Sequence, residues 1–204
     1  MGNQAYTIKL EGNNKILTTR GWAIRGQKGA LNIKGPGKLI VIMSDSLKGI
    51  MTQGDLSFSN KSKVIGAMPI LTEQGGKIYV DDAYIHAKNQ DSGLAIASEL
   101  NGGGNISLRN VKAYYQGKEA QIGICDGKKG GTTAQYQTFL FDNKPCEEII
   151  IQNLGPDGVI FEEDFESVTL DQEDGLFSFD MPYGWTTIDA DGDLATWVTI
   201  GDGL

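Results

Sequence analysis

The sequence predicts an all-β fold: a parallel β-helix (β-solenoid) of about five three-stranded coils, followed by a separate acidic β-rich segment. Two observations carry this reading. Four glycine-ended turns, Gly29-Ala30, Gly54-Asp55, Gly76-Lys77 and Gly104-Asn105, recur at steps of 25, 22 and 28 residues. Each leads at once into an alternating strand, and the same residue class returns at the same offset in successive rungs. A near-constant period of this kind marks coils that cannot bury their own apolar face and must stack.

The earliest rung is read in Tyr6/Ile8/Leu10, Ile16-Leu17 and Trp22-Ala23-Ile24. In the rungs that follow, the opening strand starts with Leu31, Leu56, Ile78 and Ile106. Two residues on come Ile33, Phe58, Val80 and Leu108. Both sets point inward, because side chains on a strand alternate faces. Next come Gly35, Asn60, Asp82 and Asn110, turn residues that accept left-handed backbone or bond locally. On stacking, Asn60 and Asn110 are expected to flank Asp82 in a partial polar ladder.

Second strands are expected at 39–42, 64–67, 83–87 and 111–115, and third strands at 49–51, 69–71, 93–97 and 121–124. The period breaks at 127–131. Phe139-Leu140-Phe141 and Ile149-Ile150-Ile151 then suit a last irregular coil or a cap over the open edge. A β-sandwich or meander would also show regularly spaced turns. It would, however, join its strands by two-residue Asn-Gly or Asp-Gly hairpins, whereas Asn101-Gly102 sits inside a longer glycine-rich loop.

The net charge of −8 conceals a break. Residues 1–144 hold all 18 Lys and Arg against 11 Asp and Glu, a net +7, while residues 145–204 hold 15 Asp and Glu and no base, a net −15. With the turn cluster Asn153-Leu154-Gly155-Pro156-Asp157-Gly158, this divides the chain into a solenoid at 1–154 and an acidic β segment at 155–204. The bases form no run and no recognition helix, so nucleic acid is not an expected partner. No stretch reaches the roughly 20 apolar residues of a membrane span, and no basic-then-apolar leader opens the chain. Cys125 and Cys146, two in all, fit either one bridge or two buried thiols, and do not make a metal site.

The acidic segment contains Phe161-Glu162-Glu163-Asp164-Phe165-Glu166, then Pro182-Tyr183-Gly184-Trp185 and Ile188-Asp189-Ala190-Asp191-Gly192-Asp193, with Trp197 beyond. Carboxylates at alternate positions suit Ca²⁺, which takes six to eight oxygen ligands; the same spacing also suits a solvated acidic turn. Ile200 stands where an EF-hand needs its closing Glu.

Together these residues resemble the opening of the cleaved-adhesin domains of gingipains and related haemagglutinins. The Asp-Phe-Glu element is also similar to the first strand of MAM-type jelly rolls. The resemblance covers about 159–204. It implies a β-jelly-roll, a role in surface adhesion, and Ca²⁺ held by acidic loop residues. Carried over position by position, the ligands are Asp164, Glu166, Asp189, Asp191 and Asp193. The chain departs from the family where Leu194 follows Asp193 in place of a glycine, and the segment spans only part of such a domain, so the jelly roll is expected to be incomplete. The repeating part more loosely resembles the β-helical carbohydrate-binding modules of secreted bacterial proteins.

Catalysis has little to rest on. A glycosidase needs two carboxylates facing each other across the substrate, whereas Asp81 and Asp82 are adjacent and point to opposite faces. Asp81 shares its offset with Arg109, which predicts a cross-rung ion pair. A binding surface is easier to build. Tyr79 points outward on one strand, and Tyr84 and His86 on the next. Matching offsets would place Lys112 beside Tyr84 and Tyr114 beside His86. Exposed rings on a rigid sheet form a platform for sugar faces. The expected function is therefore a non-enzymatic, secreted or cell-surface bacterial adhesin or carbohydrate-binding protein. Its partner would be a polysaccharide, a host glycan or a matrix protein. The alternatives are a polysaccharide-degrading β-helix enzyme, either lyase or glycosidase, and a structural spacer.

Overall fold

A computed structural model describes residues 4–18, 21–43, 48–66, 69–89, 94–129, 131–153, 170–173 and 176–179. Among them all regular structure is β, and no helix is long and apolar enough to cross a membrane. The chain divides into two compact units, Met1–Ile160 and Phe161–Leu204.

The larger unit is a parallel solenoid. Its first coil is β1 (Tyr6–Lys9), β2 (Asn13–Thr18) and β3 (Trp22–Gly26), and its second is β4 (Leu31–Lys34), β5 (Lys38–Met43) and β6 (Lys48–Thr52). The third is β7 (Leu56–Ser59), β8 (Lys63–Gly66) and β9 (Ile70–Thr72), and the fourth β10 (Ile78–Asp81), β11 (Tyr84–Lys88) and β12 (Ile96–Glu99). Opening strands stack as sheet A, second strands as sheet B and third strands as sheet C. Register follows the predicted offsets: Leu31 pairs with Leu56, Leu56 with Ile78, and Ile78 with Ile106. These residues, with Ile33, Phe58 and Val80, are buried between the sheets and form the core. The last regular third strand is Ile96–Glu99 rather than the expected 93–97, and it is Ile96 that stacks on Ile70.

The glycine turns have a steric cause. A Cβ on Gly54 would collide with the Gly29 carbonyl, and a Cβ on Gly76 with the Gly54 carbonyl. The turns lie backbone on backbone, closer than any side chain permits. Short hydroxyls support this column from sheet C. The Thr52 hydroxyl accepts from the Gly54 amide at 3.1 Å, while Thr72 and Ser98 both donate to the Gly76 carbonyl at 2.6 and 2.9 Å. At the next corner the expected left-handed residues are found, with φ of 57° at Asn60, 49° at Asp82 and 59° at Asn110. The side-chain ladder differs from expectation: Asn110 donates to Asp81 at 3.1 Å, and Asp82 accepts from Asn153 at 2.5 Å.

Four coils are regular, and the fifth is rebuilt. β13 (Ile106–Arg109) continues sheet A, but β14 (Val111–Tyr115) does not stack on β11. The chain runs through β15 (Lys118–Glu119), β16 (Gln121–Lys129), β17 (Thr132–Phe141) and β18 (Lys144–Pro145) to β19 (Glu148–Asn153). β19 enters antiparallel between β11 and β14, and β17 lies antiparallel on β12 with β16 outside it. Apolar volume accounts for the intrusion. β14 buries only the small side chains Val111 and Ala113, with Tyr115 partly buried against the core, whereas β19 supplies Ile149 and Ile151 and β17 supplies Phe139, all fully buried. The hairpins needed for it close through Gln116-Gly117, with φ of 49° and 75°, and Asp142-Asn143, with φ of 49° and 61°. Two residues in left-handed backbone are what a type I′ hairpin turn requires.

The smaller unit, described by itself, contains an antiparallel hairpin of β20 (Leu170–Glu173) and β21 (Leu176–Phe179).

Candidate functional site

Strand alternation gives sheet A an outer row of Thr7, Asn32, Ser57, Tyr79 and Ser107, one residue per coil. Tyr79 is 37 % exposed. The Ser57 hydroxyl donates to Asn32 Oδ1 at 2.7 Å, which leaves a flat line of short polar groups beside the ring. The parallel row is Lys9, Lys34, Ser59, Asp81 and Arg109. Here the predicted ion pair between Asp81 and Arg109 is present. The Arg109 guanidinium holds the Asp81 carboxyl below its ordinary value, with Asn110 bonding its other oxygen. Asp81 is thus an ionised, engaged carboxylate rather than a proton donor.

Tyr84 and His86 lie on the outer face of sheet B, around the corner at Asp82 from Tyr79, so the four predicted residues do not form one surface. Tyr114 is also on sheet B, but not where simple stacking would place it. His86 pairs with Ile150, and Ile150 with Tyr114, so a whole strand separates the two rings. The same displacement puts Gln152 between Tyr84 and Lys112. The cause is β19, whose insertion the matching offsets did not reveal.

That strand brings in Glu148, a group the sequence reading did not single out. Its Oε1 lies 2.7 Å from His86 Nε2, and its Oε2 lies 3.3 Å from Lys88 Nζ. The bond from His86, reinforced by Lys88, lowers the carboxyl pKa. Further along the face Lys112 donates to Glu119 at 3.0 Å.

A cleft of about 350 Å³ opens at the rebuilt coil beside Tyr115, Phe141 and Pro145. Its aromatic wall is already engaged: Tyr115 and Phe141 are 5.7 Å apart between ring centres, and Lys118 Nζ lies 5.6 Å over Phe141. The cysteines are free thiols. Cys146 is buried, which pushes its pKa up to about 11 and makes it a core residue rather than a nucleophile.

Asp164, Glu166, Asp189, Asp191 and Asp193, the Ca²⁺ ligands expected from the adhesin resemblance, lie outside the described residues. Among the described residues no three His, Cys, Asp or Glu side chains gather as a metal site. Compared with protein families, curated proteins and solved structures, the chain matches none.

Proposed function

We propose that the solenoid is a non-catalytic carbohydrate-binding scaffold of a secreted or cell-surface adhesin, with glycan lying against its outer sheet faces. The supporting observation is the row through Tyr79. A half-open aromatic ring stands in a flat line of Asn32, Ser57 and Ser107 on a sheet held by core packing on its other side. A ring offers its face to the C–H side of a sugar, and short hydroxyl and amide groups bond the sugar hydroxyls. The strands are about 4.8 Å apart, comparable with one sugar ring. A linear glycan running along the solenoid axis therefore meets one polar side chain per residue.

The test is binding of the full chain to a glycan array, followed by Tyr79→Ala. Loss of a stacking contact is expected to weaken binding by about five- to tenfold. Unchanged affinity in this variant, or an array with no ligand at all, would overturn the reading. Release of reducing ends or unsaturated products from a polysaccharide panel, abolished by Asp81→Ala, would favour the degrading enzyme instead.

A further inference from the structure

We infer that the outer face of sheet B binds an acidic polysaccharide of the polyuronate class along the row Lys38–Lys63–Tyr84–Gln152–Lys112. The row follows from register. Lys38 pairs with Lys63 and Lys63 with Tyr84; across the inserted strand Gln152 pairs with Lys112. Each of these residues is flanked by an inward, buried neighbour, Leu39, Val64, Ile85, Ile151 or Val111, so all five point out.

Charge on this face is one-sided. Of its acids, Glu148 is engaged by His86 and Lys88, and Glu119 by Lys112. Lys15, Lys38 and Lys63 have no carboxylate partner among the described residues. Lys38 and Lys63 also stand directly side by side on adjacent strands, an arrangement of like charges that costs stability unless an anion lies between them.

The spacing selects the kind of anion. Ammonium groups one strand apart, about 4.8 Å, match a polymer that carries one carboxylate per sugar ring. Tyr84 and Gln152 continue the line with groups suited to sugar hydroxyls. The adjacent outward row carries Ile40 and Ile65, half-buried and available to the C–H faces of the rings. The ligand's being a glycan rests on the function proposed above. The lysine row stands on a different sheet from Tyr79, which lets the two be tested apart.

The experiment is calorimetric titration of the full chain at low and at 0.5 M salt. The probes are linear polygalacturonate, the same polymer with its carboxylates methyl-esterified, duplex DNA, and phosphatidylserine vesicles. Polygalacturonate is expected to bind at least tenfold tighter than its ester, and its binding to weaken as salt rises. Lys38→Gln/Lys63→Gln should remove most of that preference without lowering the melting temperature, and Tyr79→Ala should leave it intact. Equal binding of polymer and ester, both weakened by Tyr79→Ala, would sink the acidic-ligand inference and leave the general glycan reading standing. No binding of either polymer would overturn the inference, and an empty glycan array would remove the broader reading with it. Binding of DNA or vesicles as tight as that of polygalacturonate would show an unselective anion surface and overturn it as well.

Discussion

His86 and Glu148 are 62 residues apart in sequence, and their side chains meet at 2.7 Å, tying a regular coil strand to the antiparallel strand laid over it. Lys88 grips the second carboxylate oxygen. Because these contacts lower the Glu148 pKa, the stability they add is fully present above the unfolded value near 4.5 and is lost as pH falls through the lower folded value. Glu148→Gln should therefore melt slightly below wild type at pH 6, and the two curves should converge as pH falls below the lowered folded value. The side chain is 38 % exposed, so screening limits the difference at pH 6 to about 1 kcal/mol. A gap that stays constant through the acid limb, measured by thermal melts at stepped pH, would refute this account.

The glycine column predicts a contrast between two alanines. Gly54→Ala drives a Cβ into the Gly29 carbonyl, and neither backbone can yield without parting the coils. A loss of about 3 kcal/mol is expected. Gly117→Ala meets nothing within 4 Å and suffers only from its φ of +75°, about 1 kcal/mol. Denaturant unfolding of the two variants would decide the matter; equal losses would mean that conformation, not contact, selects these glycines.

Ser62 predicts a gain. Its hydroxyl is fully buried with no hydrogen-bond partner. The next coil places Ala83, also buried, at the same level before the in-register pair Lys63 and Tyr84. Ser62→Ala removes an unsatisfied polar group at almost no cost in packing, and should raise stability by up to about 1 kcal/mol. A lower denaturation midpoint would show that the hydroxyl has a partner after all.

The regular coils were readable because each rests on a local pattern. Leu31, Leu56 and Ile78 fall at one offset, and Asn60 and Asp82 hold the left-handed corner that their side chains tolerate. The fifth coil was not readable in the same way. Val111 and Ala113 alternate as any stacked strand would, and nothing in β14 records that Ile149 and Ile151 would outcompete it for the surface of β11. That outcome depends on buried volume supplied from about 40 residues away, a tertiary effect that overrides local pattern. A partial signal was available in the two-residue turns Gln116-Gly117 and Asp142-Asn143, which announce hairpins rather than coils. The proposed binding face is legible to the same extent. Alternation alone puts Tyr84 and His86 on the outer face, but Tyr114 lies one strand further away than its offset implies, and Lys38 and Lys63 carry no distinguishing pattern, since lysine on a strand exterior is common.

The reversed strands β17 and β19 also act as a length ruler. A parallel coil can be extended indefinitely, since each rung offers the next an edge of the same polarity. β17 and β19 break this rule on two of the three sheets: they take the edges of β12 and β11 in the opposite direction, so no further parallel strand can stack there, while β13 in sheet A keeps the original direction. The number of rungs is then fixed by where direction reverses, not by where repeating sequence ends. A duplicated coil inserted before β10 should be absorbed, since it meets parallel edges on all three sheets, whereas the same coil placed after β19 should not stack on that strand, because both edges of β19 are already paired, with β11 and with β14.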